Sequence, residues 1–509
     1  MAFGSVLWDG GDGPPPEATA PDFVRDLHLD QVFAAVTVGR EEYNLGPFFL
    51  LPADSARGVE ARQDVCRDLQ APPVRVAVAD LARGMRGVRL HLAESARLSH
   101  PLQQAAWLRD AAELYCNAAR VCADAFQRLD LRSGALRAWR AHLAALVDSP
   151  GFRALEDETL RCGSDLAQVR YTLHIQGRRI TVTRAAEEVD YGAAVAATFQ
   201  RFRQGAAREY RARWRSHPEM NHVEAALLDL VAGLFPETFS ALRAYAERHR
   251  DFVDPAMGRF DREIQFFVGY LEFVERIQAS GLPFALPEVS EGSREVEAEA
   301  TFDLALARRV QQEGGTVVPN DVRLSGPERA LVVSGPNQGG KTTFARAFGQ
   351  IHHLARLGLP VPGRYVRLPL CDQIFTHFER EEDARNLRGK LQDELIRIRD
   401  ILQRGTPASL VIMNESFAST TLQDSLFLGT RVLESVIDRG MLCVYVTFVD
   451  ELSRLGPATV SMVSTVDPEN PEVRTYRAVR RPADGRAHAA ALAARHGLGY
   501  ASVRKRVGA

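Results

Sequence analysis

Ala330-Leu-Val-Val-Ser334 runs straight into Gly335-Pro336-Asn337-Gln338-Gly339-Gly340-Lys341-Thr342-Thr343, and this stretch decides the fold. Five residues with no polar alternation predict a strand buried on both faces, and the spacing from Lys341 to about 357 predicts a helix. The junction fits G-x-x-x-x-G-K-[ST] in the place that pattern requires, between a buried strand and a helix start. Glycines there let backbone N–H groups converge on phosphate oxygens, and the helix N-terminus adds partial positive charge. Residues 335–343 are therefore the candidate ATP site. Lys341 is expected to reach the β- and γ-phosphates and Thr342 to place its hydroxyl on Mg²⁺. Lys341 is one of only three lysines, with Lys390 and Lys505, among 63 basic residues. A compact ammonium suits a tight phosphate cradle that a planar guanidinium does not.

Downstream, Ser409-Leu-Val-Ile-Met413 reads as a second buried strand and ends in Asn414-Glu415. In P-loop ATPases the second position of such a pair holds a carboxylate that orients water, and the first is normally an Asp on the Mg²⁺ hydration shell. Glu415 is thus the expected general base. Asn414 can accept from a metal-bound water but carries no charge, so Mg²⁺ should be held less firmly. Helices over about 384–403 and 422–438 and a third apolar run, Met441 to Thr447, complete an alternation that predicts an α/β sheet covered on both faces.

Upstream, residues 21 to about 290 are mostly helical in pattern, with apolar three- and four-residue spacing over 101–126, 133–148, 191–215, 222–232 and 237–252. Tyr171 to Thr183 is the exception: β-branched alternation around Gln176-Gly177 predicts a β-hairpin. Gly281 to Gly292 reads as a linker, and residues 1–20, with the run Pro14-Pro15-Pro16, as a mobile tail. The expected organisation is a tail (1–20), a mainly helical region with a small hairpin (21–300) and a C-terminal α/β nucleotide domain (301–509).

Composition bounds the partners. Charged residues at 25% and hydrophobic ones at 46% are globular values. Lys+Arg at 63 against Asp+Glu at 65 exerts no global pull on nucleic acid or anionic lipid, so any such binding needs a local patch. Arg201, Arg203, Arg208, Arg211, Arg213 and Arg215, interleaved with Phe202, Tyr210 and Trp214, form one such stretch, which reads either as a phosphate contact or as a solvated helix face. Six cysteines with no C-x-x-C pair read as buried small hydrophobes in a reducing compartment. The N-terminus lacks the charge and apolar pattern of a leader and no 18 apolar residues run together, so a cytoplasmic protein away from membranes is expected.

The glycine loop is narrower than the general pattern. Gly335-Pro-Asn-Gln-Gly-Gly-Lys-Thr-Thr343 resembles the G-P-N-M-G-G-K-S-T of the MutS family of DNA mismatch-repair ATPases. Val318-Pro319-Asn320-Asp321 ahead of the strand, Asp372-Gln-Ile-Phe-Thr376 and Pro482-Ala-Asp-Gly485 resemble further segments of that family, and Leu50 to Leu69 resembles the start of its helical core. The resemblance implies core and lever helices over 21–300, an ABC-like P-loop ATPase domain, ATP with Mg²⁺, a homodimer through the ATPase domain, and DNA as partner.

The departures are specific. The family's D-E-I-G-R-G-T-S-T-x-D segment stands here as Asn414-Glu-Ser-Phe-Ala-Ser-Thr-Thr-Leu-Gln-Asp424, keeping Glu415, Thr420 and Asp424. Gly389-Lys390 replaces an interface Ser-Thr while Glu394 is kept, and Phe448 follows Thr447 where the family has His. Slow hydrolysis is expected. Because the resemblance to the core begins near residue 21, no module with a mismatch-reading Phe wedge is expected. Two readings stand: a MutS-related ATPase whose nucleotide state moves levers holding DNA, and a nucleotide-binding switch or scaffold for protein partners with little or no hydrolysis.

Overall fold

The computed structural model describes residues 3–8, 19–185, 198, 220–379, 389–470 and 473–483. Three helices come first, α1 (Asp22–Asp26), α2 (Leu29–Thr37) and α3 (Ala56–Gln70). Four more follow, α4 (Pro72–Arg97), α5 (Pro101–Gln127), α6 (Gly134–Asp148) and α7 (Pro150–Ala167). Proline stands in the first turn of α4, α5 and α7, where its missing N–H would have had no partner. The packing of α4 on α5 rests on small residues. Ala111, Ala112, Ala118, Ala119 and Ala123 are buried on α5, and a Cβ added to Gly84 on α4 would lie 2.5 Å from that of Ala118.

The hairpin is present as β1 (Tyr171–Gln176) and β2 (Arg179–Arg184), in the register Gln176 to Arg179, with Gly177 at φ 60° in the turn. Next come α8 (His222–Leu234), whose Asn221 and Glu224 form a reciprocal cap, α9 (Pro236–Arg248) and α10 (Pro255–Gln278). The helix expected over 191–215, with its arginines, lies outside the described residues, apart from Thr198.

The rest is built on strands: β3 (Phe284–Ala285), β4 (Glu288–Ser290), β5 (Val296–Thr301), helix α11 (Leu304–Gln312), β6 (Asn320–Leu324) and β7 (Ala330–Ser334). Then follow α12 (Lys341–Arg356), β8 (Val361–Pro362), β9 (Tyr365–Pro369), β10 (Ile374–Phe378), α13 (Lys390–Arg404) and β11 (Leu410–Asn414). The series ends with α14 (Leu422–Asp438), β12 (Leu442–Val446), β13 (Thr459–Val466) and β14 (Arg474–Arg480). Six strands form one sheet in the order β10-β11-β12-β7-β13-β14, parallel except for the β13/β14 pair. Both faces are covered, which is why its central strands show no polar alternation. Val332, Val411, Met413, Cys443 and Tyr445 pack with Ile398 of α13 and Val432, Leu433 and Val436 of α14. On the other face α12 lies so close that a Cβ on Gly349 would meet Ile412 Cδ1 at 2.5 Å. A second sheet has the order β4-β9-β5-β6.

The chain divides into two compact units. One comprises Met1–Phe3, Ala71–Asp130 and Arg137–Asp261; the other comprises Gly4–Gln70, Leu131–Leu136 and Arg262–Ala509. Residues 4–70 and 262–300 thus belong with the nucleotide-domain sequence, whereas the motif order placed them with the helical region. Two expectations are corrected. Residues 3–8 do not behave as tail: Phe3, Val6 and Leu7 are buried, the Glu263 carboxylate accepts from the Ser5 hydroxyl (2.8 Å) and the Val6 N–H (2.9 Å), and Arg62 donates to the Leu7 carbonyl (2.6 Å). Three apolar side chains outweigh the Gly and Pro that follow them. The stretch 281–292 is not a free linker either, because β3 pairs with β8 and β4 with β9, which satisfies its backbone groups. Among the described residues no single helix is long and apolar enough to cross a membrane; α8 and α9 pass that test only together, across a bend of 109°.

Candidate functional site

Strands β7, β11, β12 and β13 run parallel, so their carboxyl ends share one edge, where loops of an open α/β sheet gather. β13 is pressed against the loop that leaves β7. A Cβ on Gly335, at φ 124°, would stand 2.7 Å from the Ser464 carbonyl oxygen, and one on Gly339 would stand 2.5 Å from Ser464 Oγ. The Ser464 hydroxyl donates to the Gly339 carbonyl, locking the approach. Only glycine fits at either place. Gly340, at φ 91°, is the N-cap of α12 and carries no side chain over its first turn.

Lys341 opens α12 and is only 5% exposed. Its ammonium donates to the carbonyls of Gly335 (2.9 Å) and Pro336 (3.2 Å) and stands 4.2 Å from the ring centroid of Phe448. Burial lowers its pKa, a shift opposed by the Glu415 carboxylate. Thr342, next along, donates its hydroxyl to Asn414 Oδ1 at 2.8 Å. That bond joins the first turn of α12 to the end of β11, bringing together two residues 72 positions apart.

Glu415 follows in the left-handed region at φ 53°, and Phe417 at φ 63°, conformations that cost free energy for such side chains unless the surroundings hold them. Several groups hold this loop. The Glu415 N–H donates to the Val446 carbonyl (2.9 Å), the Phe417 N–H to Glu394 Oε2 on α13 (3.0 Å), and the Ser425 hydroxyl to the Phe417 carbonyl (2.5 Å). A ring nitrogen of His377 hydrogen-bonds Ser416 Oγ at 2.7 Å. Burial raises the pKa of Glu394, whereas the Phe417 N–H favours its charged form. Thr421 accepts from the Asp424 N–H and caps α14, and the hydroxyls of Thr420 and Thr421 both donate to the Asp424 carboxylate.

A cavity of about 760 Å³ opens over the loop. Asn337 to Thr343 and Glu415 form its polar end, while Phe302, Leu306, Val310, Val317 and Val318 supply an apolar wall. Its volume suits a ligand larger than a lone phosphate. The structure therefore gathers Asn337 through Thr343 with Glu415 in one cavity and links Asn414 to it through Thr342; Gly335 and Pro336 are outside the lining and accept from Lys341. Gly389 and Lys390 do not line the cavity: they begin α13, where Lys390 bonds Glu379. The sequence reading missed three contributors. Tyr476, itself at φ 59°, lines the cavity beside Gly340; Arg474 Nε donates to the Asn337 carbonyl (3.3 Å); and Asp303 caps α11 and pairs with Arg346 Nε (3.1 Å). Asp303 had a readable cap pattern, but β14 brings Arg474 and Tyr476 to the loop only through pairing with β13. All six cysteines are buried and free, and no group of three or more His, Cys, Asp or Glu among the described residues could hold a metal ion.

Comparison with known proteins adds a relationship. Residues 331–497 match the family model for MutS domain V. The chain is 30% identical over 229 residues to an endonuclease MutS2 of Gemmatimonas aurantiaca, 45% of this chain and 27% of that protein. It is 26% identical over 275 residues to a DNA mismatch repair protein MutS of Shouchella clausii, 52% of this chain and 30% of that protein. A DNA mismatch repair protein MSH3 of Phaeosphaeria nodorum is 36% identical over 140 residues, 27% of this chain and 12% of that protein. In each case the match spans less than a third of the relative's length.

Proposed function

Because the chain belongs to the MutS family through the domain at residues 331–497, we propose that it binds ATP with Mg²⁺ at residues 335–343 and couples nucleotide state to action on DNA in repair or recombination. The observation that carries this reading is the 2.8 Å bond from Thr342 to Asn414 at the carboxyl edge of a parallel sheet. It sets a hydroxyl and an amide oxygen beside the first turn of α12, where loop N–H groups and Lys341 favour a triphosphate. Mg²⁺ retains several waters and takes few protein ligands, so this pair fits it without a carboxylate cage. When bound, the ion neutralises charge on the phosphate oxygens. The apolar wall ending at Tyr476 favours a nucleoside over a bare phosphate.

In this scheme Glu415 is the general base, held in place by Glu394 and Ser425 through the Phe417 loop. The nucleotide domain pairs with a second copy, ATP favours the closed pairing, and the helices from residue 71 onward act as levers on DNA, in the cytoplasm. A nucleotide-driven change of DNA affinity must be matched by an equal effect of DNA on ATP affinity. The test is salt-dependent binding to duplex, branched and single-stranded DNA with and without ATP. Binding that ATP does not change on any of them would refute the coupling. The second reading, a nucleotide-binding switch or scaffold for protein partners, is favoured by two observations. Asn414 brings no charge to the metal, and Phe448 covers the Lys341 ammonium.

A further inference from the structure

Helix α12 begins at the glycine loop and ends sixteen residues later in the wall of a different cavity, about 24 Å away at 1.5 Å per residue. This second cavity, of about 570 Å³, lies at the start of β10, the opposite end of that strand from the nucleotide edge. Arg356 from the last turn of α12 and Arg397 and Arg404 from α13 line it, with Phe23 of α1 and Phe375 of β10.

Charge in this cavity is unevenly placed. Asp22, Asp372 and Asp400 also line it, but all three are exposed. Asp372 accepts from the hydroxyls of Thr406 and Ser409, and Asp400 pairs with Arg399. Arg356 is only 9% exposed, makes no ion pair among the described residues, and has a buried Nε without a hydrogen-bond partner. A buried guanidinium left in that condition is costly, and an arriving anion would relieve it. One turn earlier, His353 Nε2 lies 2.8 Å from the Phe49 carbonyl. A carbonyl only accepts, so Nε2 carries the hydrogen. Nδ1 is then a buried acceptor, and it too has no partner. Burial holds the ring neutral, with a pKa lowered to about 4.

We propose that this cavity binds a phosphomonoester carried on a planar or apolar body. Anionic phosphate oxygens accept from the Arg356 guanidinium, with the exposed Arg404 nearer the mouth, while Arg397 is engaged with the Phe378 carbonyl (3.1 Å). A phosphomonoester carries nearly two negative charges at neutral pH where a carboxylate carries one, which favours it beside the guanidinium groups. The body lies against Phe23 and Phe375, the latter already under the Arg404 guanidinium at 5.3 Å. The proposal does not depend on the nucleotide reading, since neither Arg356 nor Arg404 touches residues 335–343.

The experiment is calorimetric titration of the full chain with phenyl phosphate, inorganic phosphate and phenylacetate. Phenyl phosphate should bind, inorganic phosphate about fivefold or more weakly, and phenylacetate more weakly still. Affinity for phenyl phosphate should survive Lys341→Ala. It should fall about tenfold in Arg356→Gln and about threefold in Arg404→Gln, an exposed position whose change leaves folding intact, with ATP affinity unchanged in both. Equal binding of inorganic phosphate and phenyl phosphate, binding lost in Lys341→Ala, or affinity unchanged in the folded Arg404→Gln chain would each overturn the proposal.

Discussion

The unit that holds α4 and α5 and the unit that holds the six-stranded sheet solve the same packing problem by different means. In the first, local helices meet through small residues: Gly84 opposite Ala118, with Ala-rich α5 between its neighbours. In the second, strands distant in sequence are buried whole, and polar groups are drawn inside with them: Lys341, Gln350, His352, His353, Arg356 and Glu394 are all buried. Burial of polar groups without full compensation lowers stability, and such groups persist where chemistry needs them. The contrast locates chemistry in the second unit and scaffold in the first.

Acid is the strongest test of that contrast. Burial lowers the pKa of both His352 and His353 to about 4, from 6.5 in the unfolded chain. Between those values the unfolded state binds more protons, so stability rises with pH and is lost as pH falls from about 6.5 toward 4. The loss should be on the order of 3 kcal/mol per imidazole for a shift of this size. Calorimetric unfolding at pH 7 and pH 4.5 should show it, and His352→Gln with His353→Gln should flatten it. An unchanged midpoint would mean that these imidazoles titrate freely.

Next in size is Lys341→Ala, which removes a charged donor from the loop. ATP affinity should fall by about a hundredfold, the loss expected for a charge-assisted contact, while the Gly84–Ala118 packing is untouched. Calorimetry on the folded variant decides it; undiminished affinity would move the nucleotide site elsewhere.

Gly84→Leu probes the scaffold side. Its Cβ alone would lie 2.5 Å from Ala118 Cβ, so α4 and α5 must separate, at a cost of about 1–3 kcal/mol. The melting temperature should fall and ATP affinity should hold. A variant as stable as the parent would show that the two helices are not closely seated.

The smallest expected effect is that of Asn414→Asp. A carboxylate in place of the oxygen that accepts from Thr342 should strengthen Mg²⁺ dependence and raise ATP turnover severalfold. If neither changes, Phe448 over Lys341 is the stronger restraint, and Phe448→His becomes the informative variant.

Contiguous motifs were legible because their chemistry is local. The run 330–343 carries strand, glycine turn and helix start within fourteen residues. Asn414-Glu415 marks a strand end, and Gln176-Gly177 marks a hairpin turn. Each follows from backbone sterics and periodicity that neighbours in the chain impose on one another. The residues themselves therefore dictated the α/β character of the C-terminal domain, the helical character before it, and the identity of the loop to test. Long-range packing settled the remainder. The burial of Phe3, Val6 and Leu7, the pairing of β3 and β4 with β8 and β9, the bond from Thr342 to Asn414, and the arrival of Tyr476 beside Gly340 and of Arg474 at Asn337 all join segments tens to hundreds of positions apart. No local rule encodes such meetings, because they depend on which buried surfaces close on one another once the sheet has formed.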